Sequence, residues 1–363
     1  MISKSDILFK VDKGIGWIKL NRPKKLNALS YDMIKLLYEQ LIQWKDDERV
    51  AIIVMEGEGN KALCSGGDVR HLYDRKDSNL EEYAFGFFYT EYCMNMTMHC
   101  YPKPIVIYMN GIVMGGGVGV AVAGSHRIVN EKTKWAMPEM NIGLYPDVGG
   151  SYFLNKMPGH LGRYLALTSK SINAADVLYI GAADYYIDSS SWHKLKQAIG
   201  EKTWTINSAE SELKDILNKF QEKPQIDPTI PLLEEKINKH FALNTVEDIV
   251  NSLEKEAGKG DEWAEKIVKT ILSKSPTSLK VTLRQLIEGQ DKSLLECFKM
   301  ELELSMNFMK SHDFFEGVRS VLVDKDRTPN WKPDTLEKIK EEDVKMFFQY
   351  DWKDGKNPLE SFR

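Results

Sequence analysis

Little in this sequence could build a covalent or metal framework. Four cysteines, Cys64, Cys93, Cys100 and Cys297, are spread over 363 residues. They form no CxxC pair and no Cys/His ligand cluster, so the expectation is a reduced, intracellular chain with structural thiols and no metal. An excess of one charge is also missing. The chain carries 49 Lys and Arg against 53 Asp and Glu, a net charge of −4, and nothing suggests a nucleic-acid-binding domain. No window reaches the ~18 consecutive apolar residues of a membrane span. The opening "MISKSDILFKVDKGIGWIKL" has neither a long apolar core nor a small-residue cleavage site, which leads to the expectation of no leader and a cytoplasmic protein. Internal repeats and low-complexity segments are absent. So are the GxGxxG dinucleotide fingerprint in its βαβ setting and the GxxxxGK[ST] phosphate loop.

What is present is 42% hydrophobic, enough for one large domain or a core domain with a smaller partner. "ILFKVDKGIGWIKLNRP" alternates around a glycine turn and reads as a β-hairpin. Ser30 is a candidate N-cap for a helix reaching about residue 47, with Met33, Leu37, Leu41 and Trp44 at helical spacing. The apolar runs 50–57 and 103–111 read as buried strands, 125–131 as a short one, and 79–100 as an aromatic-rich helix. Repeated strand–turn–helix up to about residue 188 points to an α/β core of stacked ββα units, residues 1–188. Residues 189–363 are rich in Lys, Glu and Leu and predict a mainly helical C-terminal region packing on the core.

Two glycine turns stand out, "SGGD" at 65–68 and "GIVMGGGVG" at 111–119. Each follows an apolar strand and opens a helix. An isolated glycine there reads as a packing device. Two such turns place bare backbone N–H groups at two helix starts, and if they converge they clamp a carbonyl oxygen as it gains charge. The histidines near the motifs, His71 and His126, lack a Ser or Cys partner in a nucleophile motif, which argues against a His-based triad. Asp68 reads as a helix cap.

In order and spacing, "NRPKKLNALS", "LCSGGDVR", "NGIVMGGGVGVAVAGSHRIV" and "MPEMNIGLYPDVGG" resemble the enoyl-CoA hydratase/isomerase (crotonase) superfamily. The resemblance implies a crotonase-like spiral of ββα units and an acyl-CoA thioester substrate. It also implies an oxyanion hole made by the N–H groups of Gly67 and Gly116. Ser65, Val69 and Arg70 match the segment lining the CoA side. A hydratase of this superfamily carries an acid two residues past Gly117, where this chain has Gly119, so hydration is disfavoured. Glu139 in "MPE" keeps the second acid position, and Asp147 follows eight residues on. Those two, with "GVRSVLVDKDRTPNWKP" at 317–333, resemble the 3-hydroxyisobutyryl-CoA hydrolase branch.

That branch implies hydrolysis of a short β-hydroxyacyl-CoA, a step of valine breakdown. Glu139 would be the attacking group or general base. Asp147 would orient the substrate hydroxyl or share the proton work. Glu91, which matches a further substrate-contacting glutamate, would be a third carboxyl. No cofactor is implied, because CoA is part of the substrate, and neither nucleic acid nor membrane is a partner. The superfamily often forms trimers, so a homo-oligomer is among the implied assemblies. The competing readings are an enoyl-CoA hydratase or isomerase and a non-enzymatic structural relative.

Overall fold

Lys13 and Gly14 both have positive φ, 51° and 84°, a turn geometry whose twist matches right-handed strands. They close the hairpin between β1 (Ile7–Asp12) and β2 (Ile15–Leu20), with Ile7 opposite Leu20 and Asp12 opposite Ile15. The computed structural model describes residues 5–362. Residues 1–4, the start of the stretch read above for a leader, lie outside the described residues. The Ser30 hydroxyl accepts from the Met33 N–H at 3.3 Å and starts α1 (Tyr31–Lys45). Met33, Ile34, Leu37, Leu41 and Trp44 lie on its buried face, as one apolar stripe requires.

The chain then repeats a pattern. β3 (Ile52–Gly57) and β4 (Ala62–Cys64) precede α2 (Arg70–Tyr73) and α3 (Leu80–His99). β5 (Ile105–Met109) and β6 (Ile112–Met114) precede α4 (Gly116–Val122). β7 (His126–Val129) and β8 (Lys134–Ala136) precede a long loop, and β9 (Tyr185–Tyr186) is the last strand. Within each of these three pairs the strands part. The first joins a six-stranded sheet, order β1-β2-β3-β5-β7-β9, and the second a three-stranded sheet, order β4-β6-β8. All pairings except the first hairpin are parallel. Residues of β3 and β5 are buried on both faces, which is why these strands read as unbroken apolar runs. From Trp192 onward the described chain is helical.

The molecule divides into two compact units. The first holds the nine strands of the described residues and runs from Ser5 to Gly67, Cys93 to Ala136 and Ile172 to Leu232. Its core gathers Ile15, Ile52, Val54, Val106 and Ile128 with Leu195, Leu213 and Leu217 from the helices that follow β9. The second unit is built of helices and loops from Asp68–Tyr92, Met137–Ser171 and the chain after Leu233. At its centre is the helix Leu294–Phe308, which buries Cys297, Phe298, Leu302 and Phe308, and with them the polar Glu301 and Ser305.

In the first unit the glycine run meets β4 directly. A Cβ on Gly117 would stand 2.3 Å from the Cys64 carbonyl oxygen, backbone that cannot move aside. Gly117→Ala is therefore expected to destabilise the protein by about 1–3 kcal/mol. The fall would be read as a lower urea midpoint with unchanged slope. An unaltered midpoint would show that the contact is not needed.

Candidate active site

The two glycine turns emerge side by side. β4 pairs in parallel with β6, Ala62 beside Ile112 and Cys64 beside Val113, so both strands deliver their turns at the same end of the three-stranded sheet. Gly66, at φ 113°, faces the second turn, and a Cβ built on it would lie 3.6 Å from the Gly116 nitrogen. Gly67 sits beside Leu29, whose N–H donates to the Gly66 carbonyl at 2.9 Å. Gly115 (φ 53°) caps α4 and Gly116 is its first residue. The N–H of such a residue finds no acceptor inside its helix. Gly119 is buried within α4, so no carboxyl projects from that position. Ser65 lies in the turn and its N–H donates to the Leu26 carbonyl at 3.0 Å.

In the second unit, Val69 and Arg70 open α2, with the Arg70 side chain about half exposed and 3.9 Å from Asp74. Val69, and not Asp68, stands at the cap of α2, and no side chain caps it. Asp68 sits one residue too early for the capping role expected of it. His126 contacts Ser125 at 3.0 Å, but that hydroxyl is already engaged by the backbone of Ile105. No nucleophile results.

The second unit also holds the three carboxyls. Glu139 follows Pro138 and opens a short 3-10 turn, Glu139–Ile142, ended by Gly143 at φ 62°. Its side chain is 5% exposed and its Oε2 has no hydrogen-bond partner. Glu91, in α3, is 2% exposed and its Oε1 is equally unpartnered. Asp147 is 6% exposed but receives a hydrogen bond to Oδ2 from the Tyr92 hydroxyl at 3.1 Å.

The loop carrying Asp147 is strained and firmly held. Val148, a β-branched residue, has φ 51°, a conformation costing about 1–3 kcal/mol. Glu301 offsets it by accepting from the Gly149 N–H (2.7 Å), the Ser151 N–H (2.8 Å) and the Ser151 hydroxyl (2.6 Å). Gln285 donates to the Pro146 carbonyl at 2.7 Å and to the Ser151 hydroxyl oxygen at 2.8 Å.

Burial shifts all of these acids the same way, because a desolvated carboxylate is costly. Glu139 is pushed well above the ordinary carboxylate range by burial, then by the negative charges of Asp147 and Glu91. Glu91 is raised by burial and by Asp147. Burial lifts Asp147 only to about 7, because the Tyr92 hydroxyl favours its charged form. Burial takes Glu301 to about 8 against the pull of its donors. Burial and the charge of Asp147 thus favour the protonated forms of Glu139 and Glu91, while the Tyr92 hydroxyl favours the charged form of Asp147. A proton acceptor beside two proton reservoirs, all in a dry setting, is an arrangement for acid–base work.

Sequence reasoning missed Tyr92, Tyr145, Ser305 and Glu301. Glu301 and Ser305 left a faint signal, polar residues at i and i+4 inside the apolar stripe of "CFKMELELSMNF". No pattern in the chain says that α3 and the helix Leu294–Phe308 supply partners for Asp147.

The enoyl-CoA hydratase/isomerase family model matches residues 15–348. The chain is 43% identical over 359 residues to the 3-hydroxyisobutyryl-CoA hydrolase, mitochondrial, of Danio rerio, covering 97% of this chain and 92% of that protein. It is 42% identical to the protein of the same name from Homo sapiens, covering 95% and 88%. The crystal structure of a carnitinyl-CoA dehydratase from Mycobacterium thermoresistibile superposes with a TM-score of 0.89 at 33% identity, over 99% of both chains. The relatives' names are mitochondrial and lend no support to the cytoplasmic expectation. Among the described residues no helix is long and apolar enough to cross a membrane. The strands divided between two parallel sheets, the paired glycine turns and these matches over nearly the whole chain agree: the protein belongs to the enoyl-CoA hydratase/isomerase family and has its crotonase fold.

Proposed function

We propose that the protein hydrolyses the thioester of a short β-hydroxyacyl-CoA, 3-hydroxyisobutyryl-CoA foremost, to the free acid and CoA. The observation that carries this reading is the presence of two buried acids, Glu139 with an unpartnered oxygen and Asp147 accepting from the Tyr92 hydroxyl, together with a glycine at 119. The names of relatives more than 40% identical support it. Glu91 and the segment Ser65, Val69 and Arg70 are assigned to substrate binding.

The chemistry follows from the order of ionisation. The charged form of Asp147, which grows as pH rises through about 7, takes the proton of Glu139. The Glu139 carboxylate then attacks the thioester carbon or draws a proton from the water that does. Negative charge collects on the thioester oxygen, where the N–H groups of Gly67 and Gly116 stabilise it. The C–S bond breaks and Asp147 gives its proton to the sulfur. Water supplies the hydroxyl of the product acid and its remaining proton ends on Glu139, directly when Glu139 is the base and at hydrolysis of the anhydride when it is the nucleophile. A hydratase would instead need a second acid at position 119 to deliver a proton to carbon.

Purified protein given 3-hydroxyisobutyryl-CoA is expected to release free thiol and to leave the enoyl absorbance of crotonyl-CoA unchanged. Loss of that absorbance without thiol release would favour the hydratase reading. Glu139→Gln keeps the shape and cannot form the carboxylate. It is expected to cut kcat about 10²–10⁴-fold while calorimetry still detects binding of the CoA thioester, and near-normal turnover would remove Glu139 from the mechanism.

The pH dependence tests Asp147. The reaction starts from its charged form, so kcat/KM should rise with pH through a limb near 7, since this ratio reports the free enzyme. Asp147→Asn should abolish that limb together with most of the activity. A limb that persists in this variant belongs to another group.

A further inference from the structure

Asp147 is joined to a chain of three buried hydroxyls. The Tyr92 hydroxyl lies 3.1 Å from Asp147 Oδ2 and 2.7 Å from the Ser305 Oγ, with the Tyr145 hydroxyl at 3.2 Å. Ser305 lies 2.7 Å from the Tyr145 hydroxyl. Tyr145 donates to the Glu301 backbone carbonyl at 2.5 Å. Tyr92, Tyr145 and Ser305 are fully buried.

Counting protons fixes what the chain can do, because each hydroxyl has one to donate. Tyr145 commits its proton to a carbonyl, which has none to return. With Asp147 charged, Tyr92 donates to Asp147, and Ser305 donates to Tyr145. With Asp147 protonated, the carboxylic acid donates to the Tyr92 oxygen, Tyr92 turns its proton to Ser305, and Ser305 still donates to Tyr145. Both protonation states leave every hydroxyl proton with an acceptor. The only motion needed is one rotation of the Tyr92 O–H, and no proton leaves a hydroxyl oxygen.

We propose that Tyr92, backed by Ser305 and Tyr145, is a positioning residue that lets Asp147 accept and return a proton during turnover at little cost in hydrogen bonds. The proposal rests on the hydrolase reading for the word turnover; the hydrogen-bond switch itself does not. A buried acid that cycles its proton would otherwise strand a donor or an acceptor in one half of the cycle, at about 1–3 kcal/mol. The other groups acting on Asp147 are acidic or neutral: Glu91 beside Tyr92 in α3, Glu139 in its 3-10 turn, Tyr145 in the same loop, and Glu301 on the helix Leu294–Phe308. None of these groups is a cation, and the Tyr92 bond is the chief favourable contact of the charged form.

The test is a carboxyl carbon NMR titration of aspartate-labelled full-length protein, with the Asp147 signal assigned by its loss in Asp147→Asn. Two variants pull in opposite directions. Tyr92→Phe removes the donor to the charged form, and the Asp147 midpoint should rise by about one pH unit. The double variant Ser305→Ala, Tyr145→Phe leaves the Tyr92 proton nowhere to turn except Asp147, and the midpoint should fall. The limb of kcat/KM should move with each midpoint. Midpoints that stay put, or that shift the same way in both variants, would overturn the switch, even if activity falls. If the midpoints move as stated but no thiol is released by the unaltered protein, the switch stands and the hydrolase reading fails.

Discussion

A carboxylate stripped of water is the constraint on which the rest of the second unit depends. Glu91, Glu139, Asp147 and Glu301 are each at most 6% exposed, and no lysine or arginine is among the groups acting most strongly on them. Burial alone would hold all four neutral and chemically idle. The Tyr92 hydroxyl, ahead of a backbone hydrogen bond, favours the charged form of Asp147 and breaks the tie. A difference in proton affinity between neighbouring acids is what a proton-shuttling site requires.

That difference in turn explains features that otherwise look costly. The strained φ of Val148 places Asp147, and Glu301 gathers three donors from the next few residues to hold the loop there. Glu301 is thus a structural anchor, while Glu139 and Glu91 keep unpartnered oxygens. Bare acceptors in the interior cost stability, and such costs collect at sites that a ligand completes. In the first unit the same logic applies to backbone. Gly117 lets α4 approach β4 to a distance that a side chain forbids, and Gly66 and Gly115 take positive φ that side chains rarely adopt.

The sequence revealed local features well. The hairpin, the Ser30 cap, the buried strands and the glycine turns are all written in periodicity and in residues with special backbone needs. Each depends on a few neighbours in the chain. The ββα repeat was legible for the same reason, and motif spacing pointed to the family that the comparisons establish. The division of each strand pair between two sheets was not legible, because it is decided by register between distant strands. The partners of Asp147 were hidden too. Ser305 lies 213 residues from Tyr92 in the chain, and nothing local marks a serine in an apolar helix as the acceptor for a tyrosine. The Asp68 cap failed by one residue: helix α2 begins later than the turn chemistry of "SGGD" suggests.

In this mechanism the buried acids differ in protonation at the pH where the protein works. Infrared spectroscopy of the native protein at pH 7.5, in the region of the carboxylic acid carbonyl stretch, tests it most directly. A protonated-carboxyl band is expected at that pH, and it should weaken in Glu139→Gln. Absence of any such band would mean that the buried acids are all charged, and would contradict the account.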